Sequence, residues 1–220
     1  MAQLLRKGLA LVLCVICLLA AVMPAQALSS TDPRIDIVNG AELDAKSPRS
    51  QALDEYLDQL IPEILEEYAP LENEDEERDA FTQLMACYDY LLEHCSYGSH
   101  MRNLGASIGS TTCRKIYQAY GELEGFGAVA LSANTGLCNA YASAFILMAR
   151  KIGFNAYLVK GQTKRSGGGY THHEWAEIEI DGIAYAFDPQ LDQSFGRSGL
   201  GQYTLFCRTY EEIPGRYVKY

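Results

Sequence analysis

Three residues in the C-terminal half of this 220-residue sequence have types that could together activate a nucleophile: Cys138, His173 and Asp188. Cys138 lies in Gly136-Leu137-Cys138-Asn139-Ala140-Tyr141-Ala142, at the head of a strongly helical stretch. Over Asn139 to Ile152, the residues Tyr141, Ala144, Phe145, Met148 and Ala149 form an apolar stripe, and Gly153 supplies a stop. A cysteine at the first turn of a helix meets unpaired backbone N–H groups and the positive end of the helix dipole. That setting favours a thiolate, the nucleophilic form, and an adjacent N–H can donate to an oxyanion. Taken alone, such a cysteine reads more readily as a small buried hydrophobe. The case for chemistry therefore rests on its partners.

Those partners share one predicted hairpin. Thr171-His172-His173-Glu174-Trp175-Ala176-Glu177-Ile178-Glu179-Ile180 precedes Asp181-Gly182, a preferred two-residue turn, and Ile183-Ala184-Tyr185-Ala186-Phe187-Asp188 returns. This register sets Ile180 opposite Ile183, Ile178 opposite Tyr185, Ala176 opposite Phe187 and Trp175 opposite Asp188. One face is then apolar throughout: Ala176, Ile178, Ile180, Ile183, Tyr185 and Phe187. The other carries His173, Trp175, Glu177, Glu179, Ala184, Ala186 and Asp188. His173 and Asp188 become diagonal neighbours, within reach of each other. The Asp could then orient the imidazole and stabilise its protonated form. His172 points the opposite way, and a one-residue slip would exchange the two histidines. Adjacent histidines chelate a single ion poorly and no two-His helical motif is present, so no metal and no cofactor is expected.

These residues resemble the transglutaminase-like superfamily. The match runs from Thr135 to Asp192 on Gly136, Cys138, Tyr141, Ala142, Gly153, His173, Trp175, Asp181, Gly182, Tyr185, Asp188 and Pro189, with departures at Ala176 and Ala184. Tyr90-Leu91 through Tyr97 is similar to the helix that precedes this core. The resemblance implies an α+β, papain-like fold, with the Cys helix packed on an antiparallel sheet that carries the His and Asp. It implies thiolate attack on an amide and a thioester acyl-enzyme, with Cys138, His173 and Asp188 as triad. Water would complete hydrolysis, whereas an amine would complete crosslinking. A peptidase or amidase is the expectation; a crosslinking transglutaminase and a non-catalytic binding module are the alternatives. Tyr97, Gln118 and Asn139 are each of a type able to complete an oxyanion hole, and spacing does not choose among them.

The elements around this core read as follows. Residues 1–27 have the pattern of a secretory signal peptide: Arg6 and Lys7, an apolar run from Gly8 to Val22, Pro24, and Ala25-Gln26-Ala27 as cleavage site. Residues 28–50 are polar, lack periodicity and contain Pro33 and Pro48, so a flexible leader is expected. Residues 51–97 form N-terminal helices. Leu53, Tyr56, Leu57, Leu60, Ile61, Ile64, Leu65 and Tyr68 recur at helical spacing around Pro62, and Phe81, Leu84, Met85, Tyr88, Leu91 and Leu92 share a second face. Residues 98–220 form the catalytic core. Within it 98–110 reads as loop, a short helix ends near Gly121, Gly125 to Asn134 is small and irregular, Asn155 to Val159 is β-rich, and the tail has room for a further strand.

Charge and cysteine content bound the partners. The chain has 18 basic and 28 acidic residues. Loss of Arg6 and Lys7 with the signal peptide would leave 16 basic residues and a balance of −12. Such a charge gives no general attraction to nucleic acid or anionic membrane, and no stable membrane insertion is expected after cleavage. A peptide or protein substrate outside the cell fits, with cell-wall peptide among the candidates. Cys87, Cys95, Cys113, Cys138 and Cys207 would remain, an odd number that leaves at least one thiol unpaired within the chain.

Overall fold

A computed structural model describes residues 28–73, 75–98 and 108–220. The chain divides into two units, Met1–Asp32 and Pro33–Tyr220, and the second carries the fold. The predicted signal peptide lies outside the described residues.

Among the described residues six helices come first: α1 (Pro33–Asn39), α2 (Gln51–Tyr68), α3 (Ala80–His94), α4 (Ser110–Tyr120), α5 (Glu122–Ala133) and α6 (Cys138–Ile152). Two short parallel strands, β1 (Ser96–Tyr97) and β2 (Thr135–Gly136), join the end of α3 to the approach to α6. The main sheet follows, with β3 (Ala156–Lys164), β4 (Tyr170–Ile180), β5 (Ile183–Phe187), β6 (Arg208–Thr209) and β7 (Tyr217–Lys219) in the order β6-β5-β4-β3-β7. All its pairings are antiparallel. Helix α7 (Pro189–Arg197) leaves β5 directly. This is the α+β arrangement implied by the resemblance: a central Cys helix against an antiparallel sheet.

Helix α6 is buried on every side from Ala140 to Ala149, as a helix does when other elements cover its whole circumference. Phe145 marks the centre of the core. Its ring meets Tyr88 of α3 edge-on at 5.4 Å and Phe187 of β5 at 5.3 Å.

Two expected irregular regions are ordered. The leader over 28–50 contains α1 and is held by polar contacts rather than by an apolar stripe. Arg34 is buried because its guanidinium donates to the carbonyls of Tyr203 (2.8 Å) and Phe206 (3.1 Å). The N–H groups of Asp44 and Lys46 donate to Gly153 and Arg150 at the end of α6, and those of Arg49 and Ser50 donate to the buried Glu124 carboxylate. Residues Gly125 to Asn134 largely form α5. This helix lacks a one-sided pattern because most of it is buried, and its small residues permit close packing. A Cβ on Gly125 would fall 2.6 Å from Tyr117 of α4, and one on Gly127 would fall 2.3 Å from Leu147 of α6. Pro62 neither divides nor ends α2, which is capped by the Ser50 side chain and runs through to Tyr68.

Candidate active site

The hairpin has the register expected from the sequence. Ile180 pairs with Ile183, Ile178 with Tyr185 and Ala176 with Phe187. Asp181 and Gly182 adopt φ values of 51° and 75°, the positive pair that a tight right-twisting turn requires. The faces differ from the expectation at both ends. Ile183, at the turn, is 48% exposed. On the face read as non-core, Trp175, Ala186, His173 and Asp188 are all buried, because the chain after α7 crosses that face.

His173 and Asp188 meet there. The His173 Nε2 lies 2.6 Å from Asp188 Oδ2. Asp188 is only 1% exposed, and a carboxylate in such a place needs donors on both oxygens. Oδ1 accepts the Leu191 N–H at 3.0 Å, which makes Asp188 the N-cap of α7. Oδ2 accepts the Tyr217 hydroxyl at 2.7 Å in addition to His173. Tyr217 was not singled out in the sequence. It lies in a tail without clear periodicity, and nothing local announces its acceptor.

Aromatic rings hold the imidazole plane. Tyr217 stacks on Trp175 at 4.3 Å, and the His173 ring lies parallel to Tyr217 within 8°. Trp175 Nε1 donates to the Tyr210 hydroxyl, which donates to Glu177. Gly161, opposite His173 on β3, makes room for the indole: a Cβ there would lie 2.8 Å from Trp175 and 2.2 Å from the Val218 carbonyl oxygen.

Cys138 is the first residue of α6 and is partly exposed; Cys87, Cys95, Cys113 and Cys207 are buried. No side chain caps α6. Its entry is narrow, since a Cβ on Gly136 would lie 2.3 Å from that of Ala140. Cys138 is among the groups that raise the His173 pKa, which puts its sulfur in the surroundings of the imidazole. With Nε2 engaged by Asp188, Nδ1 is the nitrogen left for the sulfur. Burial acts to lower the His173 pKa. The Asp188 charge and hydrogen bond, together with Cys138, outweigh burial and push it up to about 10.

The remaining sequence candidates separate. His172 is on the outer side, with 56% of its side chain exposed, between Glu174 and Tyr220. Tyr97 is 54% exposed; its pKa is raised, first by burial and then by the charge of Cys138. Gln118 is exposed on α4, and Asn139 follows Cys138 with its Oδ1 buried and unpartnered. Asp192 is buried away from the imidazole. It accepts from the hydroxyls of Tyr88 and Thr204, each at 2.6 Å, and from the Leu205 N–H, fastening α7 to α3 and to the tail. Burial raises its pKa to about 6 against the lowering effect of these donors. Among the described residues no group of three or more His, Cys, Asp or Glu could hold a metal ion.

Comparison with known proteins gives a family match. The family model described as the transglutaminase-like superfamily matches residues 71–189. No curated protein matches the chain. Among the solved structures that resemble it are two. One is named as a candidate cysteine protease from Cytophaga hutchinsonii, at 17% identity and a TM-score of 0.39, covering 64% of this chain and 39% of that one. The other is named as a TGase, at 18% identity and a TM-score of 0.37, covering 64% of this chain and 33% of that one.

Proposed function

We propose that this chain, which belongs to the transglutaminase-like superfamily, is an exported cysteine hydrolase of the peptidase or amidase kind, with Cys138, His173 and Asp188 as its triad. The observation that carries this reading is the buried 2.6 Å hydrogen bond between Asp188 and His173, with Cys138, a partly exposed thiol at a helix start, among the groups that raise the His173 pKa. Export rests on the signal-peptide pattern of residues 1–27.

His173 keeps one proton on Nε2 toward Asp188 and takes the Cys138 proton on Nδ1, which makes the sulfur the attacking thiolate. The sulfur attacks an amide carbonyl carbon. The developing oxyanion faces the open N–H groups at the start of α6, and the exposed Tyr97 is the side chain proposed to join them as a donor. As the C–N bond breaks, Nδ1 gives its proton to the leaving amine, leaving a thioester on Cys138. Neutral His173 then takes a proton from water, whose oxygen attacks the thioester carbon. The C–S bond breaks, releasing the acid and freeing the sulfur. Asp188 holds its charge throughout and keeps the imidazole in the tautomer that points Nδ1 at sulfur.

A panel of peptides and side-chain amides, incubated with the full chain with and without a primary amine, tests the reading. Ammonia or cleavage fragments should form, and Cys138→Ala should abolish them. Amine incorporation without cleavage would make the chain a crosslinking enzyme. Equal, absent turnover in both proteins would make it a binding module.

A further inference from the structure

Resting on that reading, we infer that Tyr217 is a positioning residue of the site, and that its hydroxyl rather than its ring sets how Asp188 holds His173. Four observations converge on this atom. The hydroxyl donates to Asp188 Oδ2, the same oxygen that takes His173 Nε2. Asp188 has almost no contact with solvent, so water cannot replace a lost donor. The other oxygen is committed to the α7 N-cap, which prevents the carboxylate from turning to compensate. The Tyr217 ring is clamped against Trp175 over Gly161, and Trp175 is itself tied to Tyr210 and Glu177.

The physical consequence is specific. With three donors, both oxygens of Asp188 are satisfied in a buried position and the carboxylate meets His173 from a fixed direction. Without the hydroxyl, Oδ2 has only the imidazole. The carboxylate then swings within the hydrogen bond, which weakens the base without altering how substrate docks. Tyr217 is the first residue of edge strand β7, so a short pairing with β3 delivers it.

The test compares Tyr217→Phe with Tyr217→Leu. The Phe variant keeps the ring stack and loses only the hydroxyl; the Leu variant loses both. Trp175 is the one tryptophan in the chain, so its fluorescence reports the stack directly. The expected result is a kcat about 10- to 100-fold lower in both variants, a smaller loss than the about 10²- to 10⁴-fold that the acid–base group itself contributes. KM should stay within about twofold, and the pH at which activity appears should rise. Fluorescence should change only in the Leu variant. A Phe variant with wild-type kcat and pH profile, beside an impaired Leu variant, would make Tyr217 a packing residue and overturn the inference. Alkylation of Cys138 by iodoacetamide supplies a readout independent of turnover. Slower labelling in Tyr217→Phe than in the wild type supports the inference even if no amide is cleaved, and equal labelling overturns it. Loss of amidase activity in the wild type itself counts against the proposed function alone.

Discussion

Cys138 and Asp188 both stand at the start of a helix, α6 and α7, and are held there by different means. At α6 no side chain fills the cap, and the entry is shaped by close approach of small residues, Gly136 against Ala140. At α7 the functional carboxylate is itself the cap, fixed through Leu191, Tyr217 and His173, while its own N–H donates to Leu205. The open helix start leaves N–H groups for charge that develops during a reaction. The closed one spends its N–H on aiming a charge that is already present. One side of the site depends on packing and the other on a polar network, and substitutions should separate them.

The largest effect is expected at the closed start. Asp188→Asn keeps an acceptor for the Leu191 N–H, and Asn caps a helix about as well as Asp. It presents an amide donor where His173 Nε2 needs an acceptor. Turnover should fall by about 10³- to 10⁴-fold, as for loss of a triad carboxylate, with a melting temperature close to wild type. A rate loss of less than about tenfold would remove Asp188 from the mechanism.

The polar side should also carry the pH dependence of stability. Asp192 has its folded pKa raised from 3.8 to about 6 by burial, so the fold holds a proton that the unfolded chain has released. Stability is then highest at low pH and is lost as pH rises from about 4 through 6, by about 3 kcal/mol at 1.4 kcal/mol per unit. His173 adds a second window. Its contribution is fully present below about 6.5 and is lost as pH climbs toward 10. Urea unfolding across this range should show a falling stability whose lower part shrinks in Asp192→Asn, the remainder belonging to Asp89, which burial raises to about 7, and whose upper part disappears in His173→Gln. A slope that is the same in all three proteins would sink the assignment.

A smaller effect belongs to the packed side. Gly136→Ala forces a methyl to within 2.3 Å of the Ala140 Cβ, and overpacking of this kind costs about 1–3 kcal/mol. Chemical denaturation should register that loss without changing the pH windows above. The smallest effect is at the neighbouring histidine. His172→Ala removes an exposed ring stacked on Tyr220, and both rate and stability should stay within about twofold and ~0.5 kcal/mol, the usual range for surface changes. Loss of activity in this variant would mean that the strand register is wrong.

The sequence by itself determined the parts of the site that are local. Helix α6 is written in a five-residue apolar stripe ending at Gly153. The register of β4 on β5 follows from Asp181-Gly182 and alternation, which is enough to choose His173 over His172 and to bring it to Asp188, 15 residues away. Periodicity reports which face an element buries, and a tight turn counts residues. Tertiary structure decided the rest. Helix α5 was illegible because burial on most sides erases the stripe. Residues 28–50 read as a leader because hydrogen bonds from Arg34, Asp44, Lys46, Arg49 and Ser50, rather than apolar spacing, hold the segment in place. Tyr217 reaches Asp188 from 29 residues further along, after a helix and an irregular crossing. No local pattern encodes which buried oxygen a distant hydroxyl will find; that depends on where the returning chain crosses the sheet.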